Sequence, residues 1–72
     1  MNYSDHPTWV MLEKSKIAVK QEMNRVNVAL NQIYLPDDVR HHGESIYDQL
    51  NTQHRDLVNL QLKVEDKINQ HD

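Results

Sequence analysis

Residues 36–45 read PDDVRHHGES, and no other stretch of the chain gathers so many groups able to do chemistry. In a helix, Asp37 and His41 would be i,i+4 neighbours, and so would Asp38 and His42. An acid and a histidine so placed can share a divalent cation such as Zn²⁺ on one helix face. A complete site needs at least a third protein ligand. Glu44 is the nearest, but Gly43 is expected to bend the chain before it. The spacing also matches none of the His-based motifs that carry a known mechanism. A plainer reading fits the same residues. Pro36 stops one helix, Asp37 and Asp38 face the positive end of the next, and the histidines meet water. A metal-binding hairpin using Asp37, Asp38, His41, His42 and Glu44 is therefore an alternative, and no metal or other cofactor is expected.

Catalysis finds less support. Ser45 follows His41 and His42 closely, and Ser15 lies farther back. A serine nucleophile needs a positioned base in a pocket that excludes water. The chain has one glycine, so no loop can cradle a phosphate, and it has no cysteine. That removes disulfides, thiolate metal sites and a thiol nucleophile. No catalytic residue is assigned, and the chain is not expected to be an enzyme.

The elements that must carry these residues are helices. Trp9, Leu12, Lys16, Val19, Met23, Val26, Leu30 and Ile33 alternate in steps of three and four. Such a rhythm belongs to a helix packed lengthwise on another. Lys16 is its polar member, with a stem long enough to reach out of the seam. Neither proline nor glycine interrupts residues 8–35. Ser4 or Asp5 is expected to cap this first helix, with Pro7 in its first turn. Ile46, Leu50, Gln53, Leu57, Leu60, Val64 and Lys67 repeat the rhythm. The expected division is helix one at 7–35, a turn at 36–43 and helix two at 44–69, in a single 72-residue domain. A single helix from Asp37 onward is the competing boundary. The chain ends are expected to fray. A short connection makes the helices antiparallel neighbours. With the turn centred near 39–40, Leu30 would face Leu50, Met23 would face Leu57 and Val19 would face Leu60. Tyr34 and Tyr47 would pack across the turn.

Two helices touching along one stripe bury little, and a chain this small usually needs a partner or another staple. Apolar residues remain outside the seam. Val10, Ile17, Val28 and Leu35 lie near one stripe of helix one, and Val58 and Leu62 form an i,i+4 pair on helix two. Together with Trp9, which suits a bundle-end plug or an interface anchor, they form the expected interface. The fold class is all-α, an antiparallel two-helix hairpin pairing into a four-helix-bundle homodimer. The expected function is a small non-enzymatic protein–protein interaction module: an adaptor, regulator or assembly factor.

Charge bears on partners. Residues 8–35 hold four basic side chains against two acidic ones, and residues 36–72 hold four against eight. The net charge of −3 lacks the basic footprint of a dedicated nucleic-acid binder. A helical dimer touching phosphates through Lys16, Lys20 and Arg25 is kept as an alternative. No apolar run is long enough to cross a bilayer, and MNYSDHPTW lacks the pattern of a signal peptide. A cytoplasmic location is the resulting expectation.

Overall fold

The computed structural model describes residues 3–32 and 34–70. A 3-10 turn, Tyr3–Asp5, leads into helix α1, Pro7–Leu30, and helix α2, Asp37–Gln70, returns beside it. The 34 residues of α2 span about 51 Å at 1.5 Å per residue. They set the long dimension of a molecule measuring 54 × 15 × 12 Å. No helix among the described residues is long and apolar enough to cross a membrane.

The helix ends differ from the sequence expectation in an instructive way. His6, rather than Ser4 or Asp5, occupies the N-cap of α1, with extended backbone at φ −106° and ψ 110°. The two earlier residues belong to the 3-10 turn, where the His6 N–H donates to the Tyr3 carbonyl at 3.0 Å. Pro7 follows in the first helical position, where its missing N–H costs nothing. At the other end, α1 stops at Leu30 and not at 35. The Asn31 N–H is shared between the carbonyls of Asn27 and Val28 at 3.1 and 3.2 Å, and Gln32 donates to Ala29 at 3.2 Å. These short-range bonds tighten the last turn and end it. Asparagine favours such a terminus over a helix interior.

Pro36 therefore begins α2 instead of stopping α1. Its carbonyl accepts the first bond of α2, from Arg40 N–H at 2.9 Å, and Asp37 and Asp38 lie in the first turn. The connection is 31–36, not 36–43, and α2 starts at Asp37 rather than 44. The whole PDDVRHHGES stretch is thus the entry to a helix. Gly43 does not bend it, and no described residue has positive φ. The glycine serves packing instead. A Cβ built on Gly43 would lie 2.7 Å from Leu30 Cδ2, so the missing methyl leaves a notch that Leu30 fills.

This early turn also resets the register. Leu30 meets Gly43 and not Leu50, Glu13 meets Gln61, and Trp9 meets Glu65. Those pairs centre the hairpin near Pro36–Asp37 instead of 39–40. On α1 the expected seam faces inward: Leu12 and Met23 are buried, while Trp9, Lys16, Val19, Val26 and Leu30 are half-buried. Ile33, its last member, lies outside the described residues, as does His71. On α2 the inward stripe is Tyr47, Leu50, His54, Leu57, Gln61, Val64 and Ile68. Leu50, Leu57 and Val64 match the expectation. Ile46, Gln53, Leu60 and Lys67 do not; they stand on an exposed flank while the residue following each turns inward. Tyr34 does not pack across the turn. It lies in the connection and is 92% exposed. The last turn of α2 is packed, with Ile68 buried and the Asn69 amide on the Tyr3 hydroxyl at 3.1 Å.

The Leu30–Gly43 notch is open to a double-mutant test by urea unfolding at fixed protein concentration. Gly43→Ala gains about 1 kcal/mol of helix propensity wherever the methyl has room. In the native chain that gain is expected to be largely offset by the displaced Leu30. In a Leu30→Ala background it is expected in full, giving a coupling of about 0.5 kcal/mol or more. Equal gains in the two backgrounds would contradict the notch.

Candidate functional site

Among the described residues the hairpin seam carries one buried polar side chain, Gln61, which is only 5% exposed. Glu13 and Lys16, one helical turn apart on α1, flank it. Gln61 Nε2 donates to Glu13 Oε2 at 2.6 Å, Lys16 Nζ donates to Gln61 Oε1 at 2.9 Å, and Lys16 pairs with Glu13 at 3.0 Å. An amide is suited to this place because it offers a donor to the carboxylate and an acceptor to the ammonium at once. The two charges fix which way the amide points. The Gln61 bond, then Lys16, hold the Glu13 carboxyl below its ordinary value, with a smaller opposing effect from burial. The apolar rhythm of the sequence gives this seam position to Leu60 instead. The signal it missed is the Glu13/Lys16 pair at the inner edge of α1, which calls for a partner that can both donate and accept.

At the open end of the hairpin, Tyr3 and Trp9 stack with ring centroids 5.7 Å apart and planes 22° from parallel. Trp9 Nε1 donates to Glu65 Oε1 at 3.2 Å. Trp9 is thereby half-buried within its own chain, tying the N-terminal turn to the end of α2.

The chemically loaded stretch lies on the outer side of the first turns of α2. Asp37, Asp38, His41, His42 and Glu44 are all exposed. His41 Nδ1 approaches Glu44 Oε2 at 3.9 Å, a loose i,i+3 contact. Among the described residues no group of three or more His, Asp or Glu side chains converges as a metal cage requires. The basic trio is also dispersed. Lys16 is held in the Gln61 clamp, Arg25 pairs with Glu22 at 3.0 Å, and Lys20 stands exposed. Ser15 is half-buried on α1 and Ser45 is exposed on α2, with no hydrogen bond from either to a histidine among the described contacts.

What the hairpin presents most plainly is apolar surface. At the turn end a groove of about 190 Å³ opens between the helices, lined by Val26, Ala29, Leu30, Leu35, Val39, Gly43 and Ile46. The flank of α2 continues it: Val39, Ile46, Gln53 and Leu60 fall on one line at helical spacing. Leu60 is 47% exposed, and Met11, eighteen residues or five helical turns from Ala29 along α1, is 59% exposed. Leu35, which follows the end of α1, lines the groove, while the opposite side of the hairpin carries the rest of the apolar set expected from sequence. There Ile17, Val28 and Leu62 are exposed, and Val10 and Val58 are half-buried. Two separate apolar faces thus exist, where sequence reasoning identified one.

Comparisons with protein-family models, with curated proteins and with solved structures return no match.

The clamp generates a test with a definite sign. Because the folded-state pKa of Glu13 is depressed, its contribution is present above the ordinary carboxylate value and is lost as pH falls through the folded value. The urea midpoint is expected to fall on acidification below about pH 4.5, the unperturbed value. Glu13→Gln is expected to flatten that fall. Gln61→Glu sets two carboxylates together and raises the pKa of one, so its midpoint is expected to rise on acidification over the same range. Parallel profiles for the native and Gln61→Glu chains would refute the clamp.

Proposed function

We propose that this chain is a small, non-enzymatic protein–protein interaction module whose apolar surface is completed by self-association into a four-helix bundle. The observation that carries this reading is a mismatch between mass and exposed surface. A compact monomer of 8.6 kDa exposes about 4,700 Å². This chain exposes 5655 Å². Its radius of gyration is 16.3 Å, against about 11 Å for a compact domain of its length. The surplus, about 950 Å², is close to the ~800 Å² that each partner contributes to a standard interface.

The buried core makes the same point. Its apolar members among the described residues are Leu12, Met23 and Ile68, and none is below 2% exposure. Such a core is thin for ordering a chain of this length, since each ordered residue costs about 1–2 kcal/mol of backbone entropy. A second hairpin supplies the missing half. Two hairpins joined through the groove side leave Val10, Ile17, Val28, Val58 and Leu62 outward, where they give the dimer a docking face for a further protein. That combination describes an adaptor or assembly factor, placed by this reading in the cytoplasm.

Light scattering over a tenfold or wider concentration range, with and without EDTA, tests the reading directly. The expected solution mass is twice 8.6 kDa, unchanged by EDTA. A mass of one chain at every concentration would overturn self-association. A dimer lost in EDTA would transfer the role to Asp37, Asp38, His41, His42 and Glu44.

A further inference from the structure

We infer that the groove is filled by a second copy lying antiparallel, with Met11 and Leu60 of each chain seated in the groove of the other. The inference rests on the self-association proposed above and specifies its surface and direction.

The argument is one of position. Cross-helix contacts at Leu30–Gly43, Glu13–Gln61, Trp9–Glu65 and Tyr3–Asn69 define which residues of α1 and α2 stand at the same height. By that correspondence Gln53 is level with Lys20 and Gln21, near the middle of the hairpin. The groove residues Ala29 and Ile46 lie above that level, toward the turn. Leu60, fourteen residues from Ile46, and Met11, eighteen from Ala29, lie below it on the same helical lines, and both are exposed. The distances match. Ile46 and Leu60 are each seven residues from Gln53, about 10 Å along the axis. Ala29 and Met11 are each nine residues from Lys20, about 14 Å. A two-fold axis lying in the face, across the hairpin at the height of Gln53, therefore sets Leu60 against the partner's Ile46 and Met11 against the partner's Ala29. Protruding apolar side chains then meet the concave apolar half of the face, twice, as an isologous contact requires.

The surroundings agree with close approach. Ala18 and Ala29 on α1 are exposed small residues that allow another helix near. Glu22, on the helical line of Met11 and Ala29 close to the height of Lys20, has its charge paired with Arg25 at 3.0 Å. A parallel dimer about an axis along the hairpin would set groove against groove and leave both unfilled. The amount of surface also fits a single copy, because the surplus per chain is about one partner's share of a standard interface.

The chain has no cysteine, so introduced thiols report only their own neighbours. Single-cysteine variants treated with a short bifunctional thiol reagent read the arrangement as dimer-mass bands. Gln53→Cys, at the axis, is expected to cross-link to itself. Ile46→Cys alone and Leu60→Cys alone are expected not to, while a mixture of the two is expected to cross-link. Self-linking of Ile46→Cys and of Leu60→Cys separately would overturn the antiparallel direction. No cross-link at any of the three, in a preparation with the mass of a dimer, would overturn this surface while leaving self-association intact. A one-chain mass would instead remove the reading on which the inference rests. As a second readout, Leu60→Asp is expected to weaken dimerisation about tenfold or more, and Leu62→Asp on the opposite flank to leave it within about twofold. The reverse ranking would place the interface on the Val58/Leu62 side.

Discussion

The hydrogen-bonded triangle of Gln61, Glu13 and Lys16 decides how the two helices face each other. A buried amide has to be satisfied, because an unpaired donor or acceptor away from water costs about 1–3 kcal/mol. Only when Gln61 faces α1 between Glu13 and Lys16 are both its ends served. That orientation turns the preceding residue, Leu60, outward. It does the same, through the helical repeat, to Ile46 and Gln53. The apolar line that a simple seam would have used internally is thereby handed to the outside of the hairpin. One polar contact thus fixes the register within the chain and creates the surface available beyond it.

Gly43 and Leu30 are the complementary constraint at the other end. The clamp sets height near residues 13–16, and the notch sets it again at residue 30. Two fixed points along a pair of rods remove sliding as well as rotation. The apolar contacts between them, Met23 above all, are then free to be generic. This division of labour suits a chain with few buried side chains, since specificity is carried by shape and hydrogen bonding while apolar packing supplies the bulk of the attraction.

Periodicity made the helices legible in the sequence: the alternation from Trp9 to Leu30 is the inward face of α1. Composition had already excluded disulfides and thiolate chemistry. Three things were hidden. The end of α1 at Asn31 was masked by the prominence of Pro36, a residue that both stops and starts helices. The role of Gly43 was hidden because a missing methyl acquires meaning only when its neighbour across the seam is known. The inward turn of Gln61 was hidden because apolar rhythm counts hydrophobic residues, and Leu60 scored where a polar residue did the packing. Because that rhythm gives Leu60 a seam position, the second apolar face does not appear in it. The groove could not be anticipated either, for it depends on the height at which the turn closes.

The position of the notch also bears on how the chain comes together in time. Leu30 and Gly43 are separated by thirteen residues, whereas Tyr3 and Asn69 are separated by sixty-six. The entropy lost in closing a loop grows with its length, so the contact next to the turn is the least costly of the cross-helix pairs to form first. Each later pair, from Glu13–Gln61 out to Trp9–Glu65 and Tyr3–Asn69, then closes a short remainder. The hairpin is built to zip from Gly43 outward, with the stacked aromatic pair as its last fastening.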